Sequence, residues 1–301
     1  MKPFLRACPP GFEIVLADIG SAGGLKDRWA PARAVVSAML FEPRDGGVPR
    51  QVGRDTLYPV ALGPAPGRAS LNLAALPNMS STLTPNTELL AGFRKKGAHT
   101  RIIGTLEMPV DTLDALAERE RKRVDMLKVD TQGSELGILQ GARICLASSI
   151  LLAEVEVSFL ERYRGQSLFR DIDTFMADAG FDLIDLYRLK RYRRVNQLGV
   201  GNVSLGGGQR AGRLAYGDAL FMLREEALRA RIRAQGETLA LKAVLGLLVY
   251  GKADLASRLF EDSADVFEPV RRARIGKYLT SLGRVRRNAL HHALDYLVRH
   301  V

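Results

Sequence analysis

A chain of 301 residues that is 47% hydrophobic and 26% charged can bury a sizeable core, which excludes a disordered polymer or a fibrous repeat. Its formal net charge is +11, concentrated at residues 119–123, at 188–194 and in the last 78 residues, where 15 Lys and Arg face 9 Asp and Glu. No apolar run reaches the ~20 residues of a membrane span, since the longest, 238–250, is interrupted by Lys242.

Taken in chain order, apolar runs bounded by turn residues predict strands at 12–19, 34–41, 56–62, 68–73, 126–129, 150–157, 181–189 and 219–223. Several are continuous rather than alternating, as expected of strands covered on both faces. Helical patterns lie between them. Residues 112–123 open on Asp111 or Thr112 as N-cap and carry Leu113, Leu116 and Ala117 on one stripe. Residues 134–142 and 168–179 are also helical, the second stopped by Gly180. This alternation predicts an α/β architecture with a mainly parallel sheet and right-handed crossovers. Beyond Leu223 the pattern changes to four helical segments, 226–250, 254–266, 268–282 and 284–301. Two domains are therefore expected, 1–224 and a helical extension at 225–301.

Chemistry concentrates at two strand ends. Residues 15–24, V-L-A-D-I-G-S-A-G-G, are an apolar strand that runs through Asp18 into a tight turn of Gly20, Ser21 and Gly23. Glycine lets the backbone approach a ligand closely. The spacing is D-x-G-x-x-G, so the dinucleotide fingerprint G-x-G-x-x-G is not met. Glu42 ends the next apolar strand, 22 residues after Gly20. An acid at the tip of a second parallel strand can accept hydrogen bonds from both ribose hydroxyls, which suits an adenosine cofactor of either the nicotinamide or another kind.

Residues 125–142, D-M-L-K-V-D-T-Q-G-S-E-L-G-I-L-Q-G-A, hold the most specific pattern: strand, D-x-x-G-x-E, then a helix ending in a small-residue turn. This block resembles the signature of the FkbM methyltransferase family. Residues 78–83 (N-M-S-S-T-L), 110–114 (V-D-T-L-D) and 151–156 (L-L-A-E-V-E) agree with it in order, so that the resemblance covers about 12–224. It implies a Rossmann-like class I methyltransferase fold, with a mainly parallel seven-stranded sheet and a small C-terminal helical appendix. It also implies S-adenosyl-L-methionine as cofactor and a hydroxyl of a sugar, polysaccharide or secondary metabolite as methyl acceptor. On that reading Asp18, Gly20, Ser21 and Gly23 hold the amino-acid end of the cofactor and Glu42 its ribose. Asp130 and Glu135 shape the methyl-transfer site, and Glu154 binds the acceptor or takes its proton. Glu154 and Glu156 share one face of their strand. Where the family usually carries Glu before the central glycine, this chain has Gln132.

Other readings stay open at this level. A nicotinamide-dependent oxidoreductase would also use Glu42, but lacks its glycine spacing and a Tyr-x-x-x-Lys pair. A non-catalytic adaptor keeping the fold would account for Gln132 and the basic extension, itself a candidate homo-oligomer contact. The positive charge suits anionic partners; with no interleaved aromatics and no N-P-P-Y-like run, a small-molecule or glycan acceptor is expected rather than nucleic acid. No metal is expected, since His291 and His292 are adjacent rather than four apart. The glycine-rich stretch 194–213 is a candidate lid. Two cysteines without a disulfide pattern, and no apolar run before Pro9 and Pro10 to serve as a leader, point to the cytoplasm.

Overall fold

Strands covered on both faces must bury every side chain, and four do so: Ile14–Ile19, Val36–Phe41, Met126–Val129 and Leu152–Ser158. The computed structural model describes residues 1–21, 24–94, 96–201 and 210–283. Its strands are β1 (Ile14–Ile19), β2 (Val36–Phe41), β3 (Arg50–Val52), β4 (Asp55–Tyr58), β5 (Ala61–Leu62), β6 (Gly67–Ala74), β7 (Ile102–Asp111), β8 (Met126–Val129), β9 (Leu152–Ser158), β10 (Phe181–Tyr192) and β11 (Arg213–Leu223). Its helices are α1 (Lys2–Leu5), α2 (Thr87–Ala91), α3 (Lys96–His99), α4 (Leu113–Arg119), α5 (Glu135–Gln140), α6 (Arg143–Ser148), α7 (Phe169–Asp178), α8 (Glu225–Gln235), α9 (Glu237–Val249), α10 (Ala253–Asp262) and α11 (Pro269–Gly283).

Among the described residues the main sheet has eight strands in the order β10-β11-β9-β8-β1-β2-β4-β3. Neighbours from β9 through β4 are parallel, whereas β11 runs antiparallel to β9 and β10, and β3 antiparallel to β4. The expected α/β architecture and mainly parallel centre are present, but the expected count of seven strands is corrected to eight. The additional strand is β3, joined to β4 by the two-residue turn Gly53-Arg54, in which Gly53 adopts φ 62°.

A second, three-stranded sheet, β5-β7-β6, was not anticipated. The run expected as one strand at 56–62 divides at Pro59 and Val60 into β4 and β5, which belong to different sheets. Proline cannot donate to a ladder, so it marks the point where the chain leaves the first sheet. Residues 68–73, expected in the main sheet, lie in β6 and pair antiparallel with β7. The longer β7 escaped the sequence pattern because it is mostly solvent-facing and contains Gly104 and Pro109.

Thr112 caps α4 as expected, its hydroxyl accepting from the Ala115 amide at 3.1 Å. The segment expected as one helix over 226–250 breaks at Gly236, whose φ of 77° no L side chain adopts readily. Helix α9 is apolar nearly all round, as a helix buried in a core should be. Gly246 on α9 faces Met126 Cε and Leu152 Cδ1, so the helix lies directly against β8 and β9. Lys242, which interrupts the apolar run, bonds Asp125 at 2.7 Å, and Asp125 also accepts from the Val15 amide at 2.8 Å. The buried residues of α9 belong to the same core as those of the central strands. Residues 284–301, with the last expected helix and its histidines, lie outside the described residues, as do Gly23 and 202–209 of the candidate lid. Among the described residues no helix is long and apolar enough to cross a membrane.

Gly141 closes α5 against the chain leaving β5. A Cβ there would sit 2.1 Å from the Gly63 carbonyl oxygen, a backbone atom with little room to move. Gly141→Ala is expected to destabilise the chain by about 1–3 kcal/mol through overpacking, measurable as a lowered urea midpoint with unchanged slope.

Candidate active site

Parallel strands deliver the residues after their last hydrogen bond to one edge of the sheet. Here the ladder continues past β1, β2 and β8 into their turns. The Gly20 amide donates to the Phe41 carbonyl at 3.1 Å, and the Asp130 amide donates to the Ile19 carbonyl at 3.0 Å. Gly20 adopts φ 82°, and a Cβ on it would lie 2.0 Å from the Asp130 carbonyl oxygen. Both facts demand glycine, and together they bring the β1 and β8 turns into backbone contact.

A cavity of about 360 Å³ opens at this edge, with Gly20, Glu42, Asp130, Gln132 and Glu156 in its wall. Lys26 and Arg44 add positive charge to it. Apolar side chains also line it: Leu62, Leu71 and Met108 from the second sheet, Met79 from the segment between β6 and β7, and Ile138 from α5. The 78–83 stretch is fixed to the β8 turn, with Ser81 Oγ donating to the Gln132 carbonyl at 2.7 Å and the Thr82 and Ser134 hydroxyls 2.7 Å apart.

The expected site residues divide into those at the cavity and those beneath it. Gly20, Glu42 and Asp130 line it. Asp18 is fully buried one residue below the turn, with Oδ1 accepting from Lys128 Nζ at 3.1 Å. Burial pushes the Asp18 carboxyl above its ordinary value despite the pull of Lys128. Its Oδ2 and the buried Ser21 Oγ have no hydrogen-bond partner among the described residues. Glu42 is buried and, among the described residues, engaged by Arg44 alone: Oε1 accepts from the Arg44 amide and Nε, and Oε2 from Nη2 at 2.8 Å. Burial raises the Glu42 carboxyl, but the Arg44 hydrogen bonds outweigh it and hold the group below its usual range.

Glu135 does not reach the cavity. Its Oε1 accepts from the Thr131 amide, the Thr131 hydroxyl and the Gly133 amide at 3.0, 3.2 and 3.0 Å, which fastens the turn that carries Gln132. Gln132 needs that fastening, because its φ is 61° in the left-handed region. Glu154 is also away from the cavity, buried between Arg28 at 3.0 Å and Arg188 at 3.0 Å. Glu156, two residues nearer the strand end on the same face, is the β9 carboxylate in the wall. That order along β9 was readable in the sequence, since the residue nearer the carboxyl end of a parallel strand lies nearer the ligand edge. Arg44, Lys128 and Arg162 carry no sequence signal of the roles they play here.

The family model for the methyltransferase FkbM domain matches residues 28–183, just over half of the 301 residues. The chain belongs to the FkbM methyltransferase family. A crystal structure of methyltransferase FkbM from Methylobacillus flagellatus KT aligns with 70% of this chain and 43% of its own, at 12% identity and a TM-score of 0.34. The chain thus matches less than half the length of that protein. No curated protein matches it.

In this FkbM-family chain the position of its departure, Gln132, is chemically well matched. Its Nε2 donates to Glu156 Oε2 at 2.9 Å and to Asp130 Oδ1 at 3.3 Å, while its Oε1 accepts from Arg162 Nη1 at 3.1 Å. An amide can serve both sides of that contact; a carboxylate could serve only the guanidinium. Arg162 is fully buried and bonds Glu156 Oε2 at 3.0 Å and the Ser158 hydroxyl at 3.1 Å, with its guanidinium 4.3 Å from the Tyr216 ring centre. Burial drives the Glu156 carboxyl up to about 8; Arg162 pulls it down, while Asp130 and Glu135 push it further up.

The sign of the resulting pH dependence is fixed. Unfolded, Glu156 ionises near the ordinary glutamate value of 4.5. Folded, it keeps its proton to about 8, so between those limits the native chain binds the extra proton and loses stability as pH rises. Removing the buried cation should steepen that loss. Arg162→Met is expected to cost about 3–5 kcal/mol under alkaline conditions and less in mild acid, where Glu156 is neutral. Urea unfolding of both proteins across that window measures the difference.

Proposed function

We propose that this chain is an S-adenosyl-L-methionine-dependent O-methyltransferase that acts on a hydroxyl of a sugar, polysaccharide or secondary metabolite. The observation that supports this most directly is the convergence of the β1, β2 and β8 turns on one cavity whose wall contains Glu42 and Asp130. The residues present fit the cofactor. Asp18 Oδ2 and Ser21 Oγ are buried polar atoms left without partners among the described residues, and the turn beside them has no Cβ at Gly20. These groups would hold the amino-acid end, and both Glu42 oxygens would hold the ribose hydroxyls. Arg44 now engages both of those oxygens, so it must yield when a ribose binds.

When bound, S-adenosyl-L-methionine supplies a methyl group on a positively charged sulfur. The protein's part is to align an acceptor hydroxyl with it and to receive the hydroxyl proton. Two features favour an uncharged, hydroxylated acceptor. Apolar side chains of the second sheet line the cavity, and three carboxylates, Glu42, Asp130 and Glu156, line it with them. The half-buried Cys8 and buried Cys145 are both free thiols, which is consistent with a reducing cytoplasm.

Calorimetric titration with S-adenosyl-L-methionine and, separately, with a nicotinamide dinucleotide tests the reading. Binding of the first is expected, and binding of the dinucleotide alone would overturn it. Glu42→Ala should weaken the first by about 10- to 100-fold, the loss expected for one hydrogen bond to a charged group, since displacing Arg44 offsets part of the gain from the second.

A further inference from the structure

Glu156 is the β9 carboxylate that stands in the cavity wall, and its two oxygens are used unequally. Oε2 accepts both from Gln132 Nε2 at 2.9 Å and from Arg162 Nη2 at 3.0 Å. Oε1 takes part in none of the hydrogen bonds among the described residues. One oxygen is therefore anchored by two donors while the other remains for a ligand. Glu154, the neighbouring acid on the same strand face, also has one oxygen, Oε2, without a hydrogen bond among the described residues, but Arg28 stands 3.0 Å from that oxygen and Glu154 lies outside the cavity wall.

We infer that Glu156 takes the proton from the acceptor hydroxyl, and that Gln132 and Arg162 are the positioning residues that set its orientation and charge. The inference rests on the methyl-transfer reading above. In the step it describes, the O–H bond breaks toward Glu156 and its electron pair becomes the new O–CH3 bond. The S–CH3 pair returns to sulfur. One anionic carboxylate becomes neutral as one sulfonium charge is lost, so atoms and charge balance.

The surroundings fit a base of this kind. The charged and titratable groups that face Glu156 are Arg162 and Tyr163 after β9, Asp130 after β8, Glu135 on α5, Tyr192 at the end of β10, and Tyr216 and Asp218 on β11. Arg162 is the cation of this set, and it is opposed by burial and by the neighbouring acids, which leaves the carboxyl at about 8. A base that ionises near working pH combines a useful ionised fraction with real proton affinity. Gln132 is suited to hold it because its amide bridges Glu156 and Asp130 without adding charge. Gln132→Glu would put a third acid between them and raise the cluster's midpoint by about one unit or more.

The experiment uses the full chain in three measurements. Difference infrared titration without ligand should show a carboxyl changing state near 8, absent in Glu156→Gln and moved upward in Gln132→Glu. Binding of S-adenosyl-L-homocysteine, followed by calorimetry, should differ less than about threefold between wild type and Glu156→Gln, as expected of a residue outside the donor's contacts. Transfer of labelled methyl from S-adenosyl-L-methionine into a small-molecule cell extract should fall about 10²- to 10⁴-fold in Glu156→Gln. Its pH midpoint in Gln132→Glu should move with the infrared midpoint. Equal transfer by wild type and Glu156→Gln overturns the inference alone, as does a carboxyl near 8 that survives in Glu156→Gln, or a rate profile that stays still while the infrared midpoint moves. A wild type that binds no S-adenosyl-L-homocysteine, or binds it and transfers nothing, overturns the methyl-transfer reading and the inference with it.

Discussion

The site depends on one close approach, the backbone of Gly20 against the carbonyl of Asp130. A Cβ at position 20 would lie 2.0 Å from that oxygen, so any other residue would push the β1 and β8 turns apart. The same turn accepts its conformation only as glycine, at φ 82°. Because the Gly20 and Ser21 amides also donate to Phe41, the turn is tied to β2 as well as to β8. Three strands that alternate with crossovers of very different length are thereby made to end at one point. Glu42 and Asp130 reach the cavity because the backbone beneath them is locked, not because their side chains attract one another.

Below that edge, charge is arranged by depth. Asp18, Lys128 and Glu154 stand at matched positions on β1, β8 and β9 and share one face of the sheet. At this level acids meet cations: Asp18 meets Lys128, and Glu154 meets Arg28 and Arg188. Desolvated charges persist in a core only when they are paired in this way. One step nearer the cavity the balance changes. Asp130 reaches Lys128 only at 3.7 Å and accepts from the neutral Gln132 amide, and Glu156 meets the one guanidinium of Arg162, which Gln132 shares. Burial raises the carboxyl of Glu156 beside the open space as it raises that of Asp18 below, so at both depths the ionised acid depends on the cation beside it.

Much of this was legible in the chain, and the remainder was hidden for physical reasons. The central strands were readable because burial on both faces leaves continuous apolar runs, and the strand-to-turn acids because they interrupt those runs at their ends. Thr112 announced α4 by its capping chemistry. The second sheet was not readable: β7 presents much of its surface to water and contains a glycine and a proline, so its pattern is that of a loop. That Glu156 lies nearer the ligand edge than Glu154 follows from their order along β9, but that Glu154 stops short of the cavity wall depends on how far β9 runs, which its pairing with β11 sets. Arg162 and Arg44 were beyond reach, since a buried arginine and an exposed one look the same until the acids that face them are placed. Gln132 looked like a loss while it was compared with a carboxylate, and becomes a fit once its three partners are known.

Helix α9 has a bearing on the site although it touches none of the cavity. It lies on the face of β8 and β9 from which Lys128 and Glu154 project, with Gly246 against Met126 and Leu152. Its end brings Tyr250 edge-on to Trp29, 6.0 Å between ring centres, and the Arg28 guanidinium stands 4.9 Å over the Tyr250 ring. Arg28 in turn reaches Glu154 at 3.0 Å and the Tyr187 hydroxyl at 2.8 Å. The segment that follows the glycine turn is therefore clamped between the sheet and this helix. At the other end of β8, Lys242 neutralises Asp125, whose carboxylate fixes the start of β1 through the Val15 amide. Without α9 that face would be open to water, and hydrated ion pairs lose most of their hold on geometry. The C-terminal helices thus act on the chemistry from behind, by keeping dry the charges that hold the floor of the cavity in position.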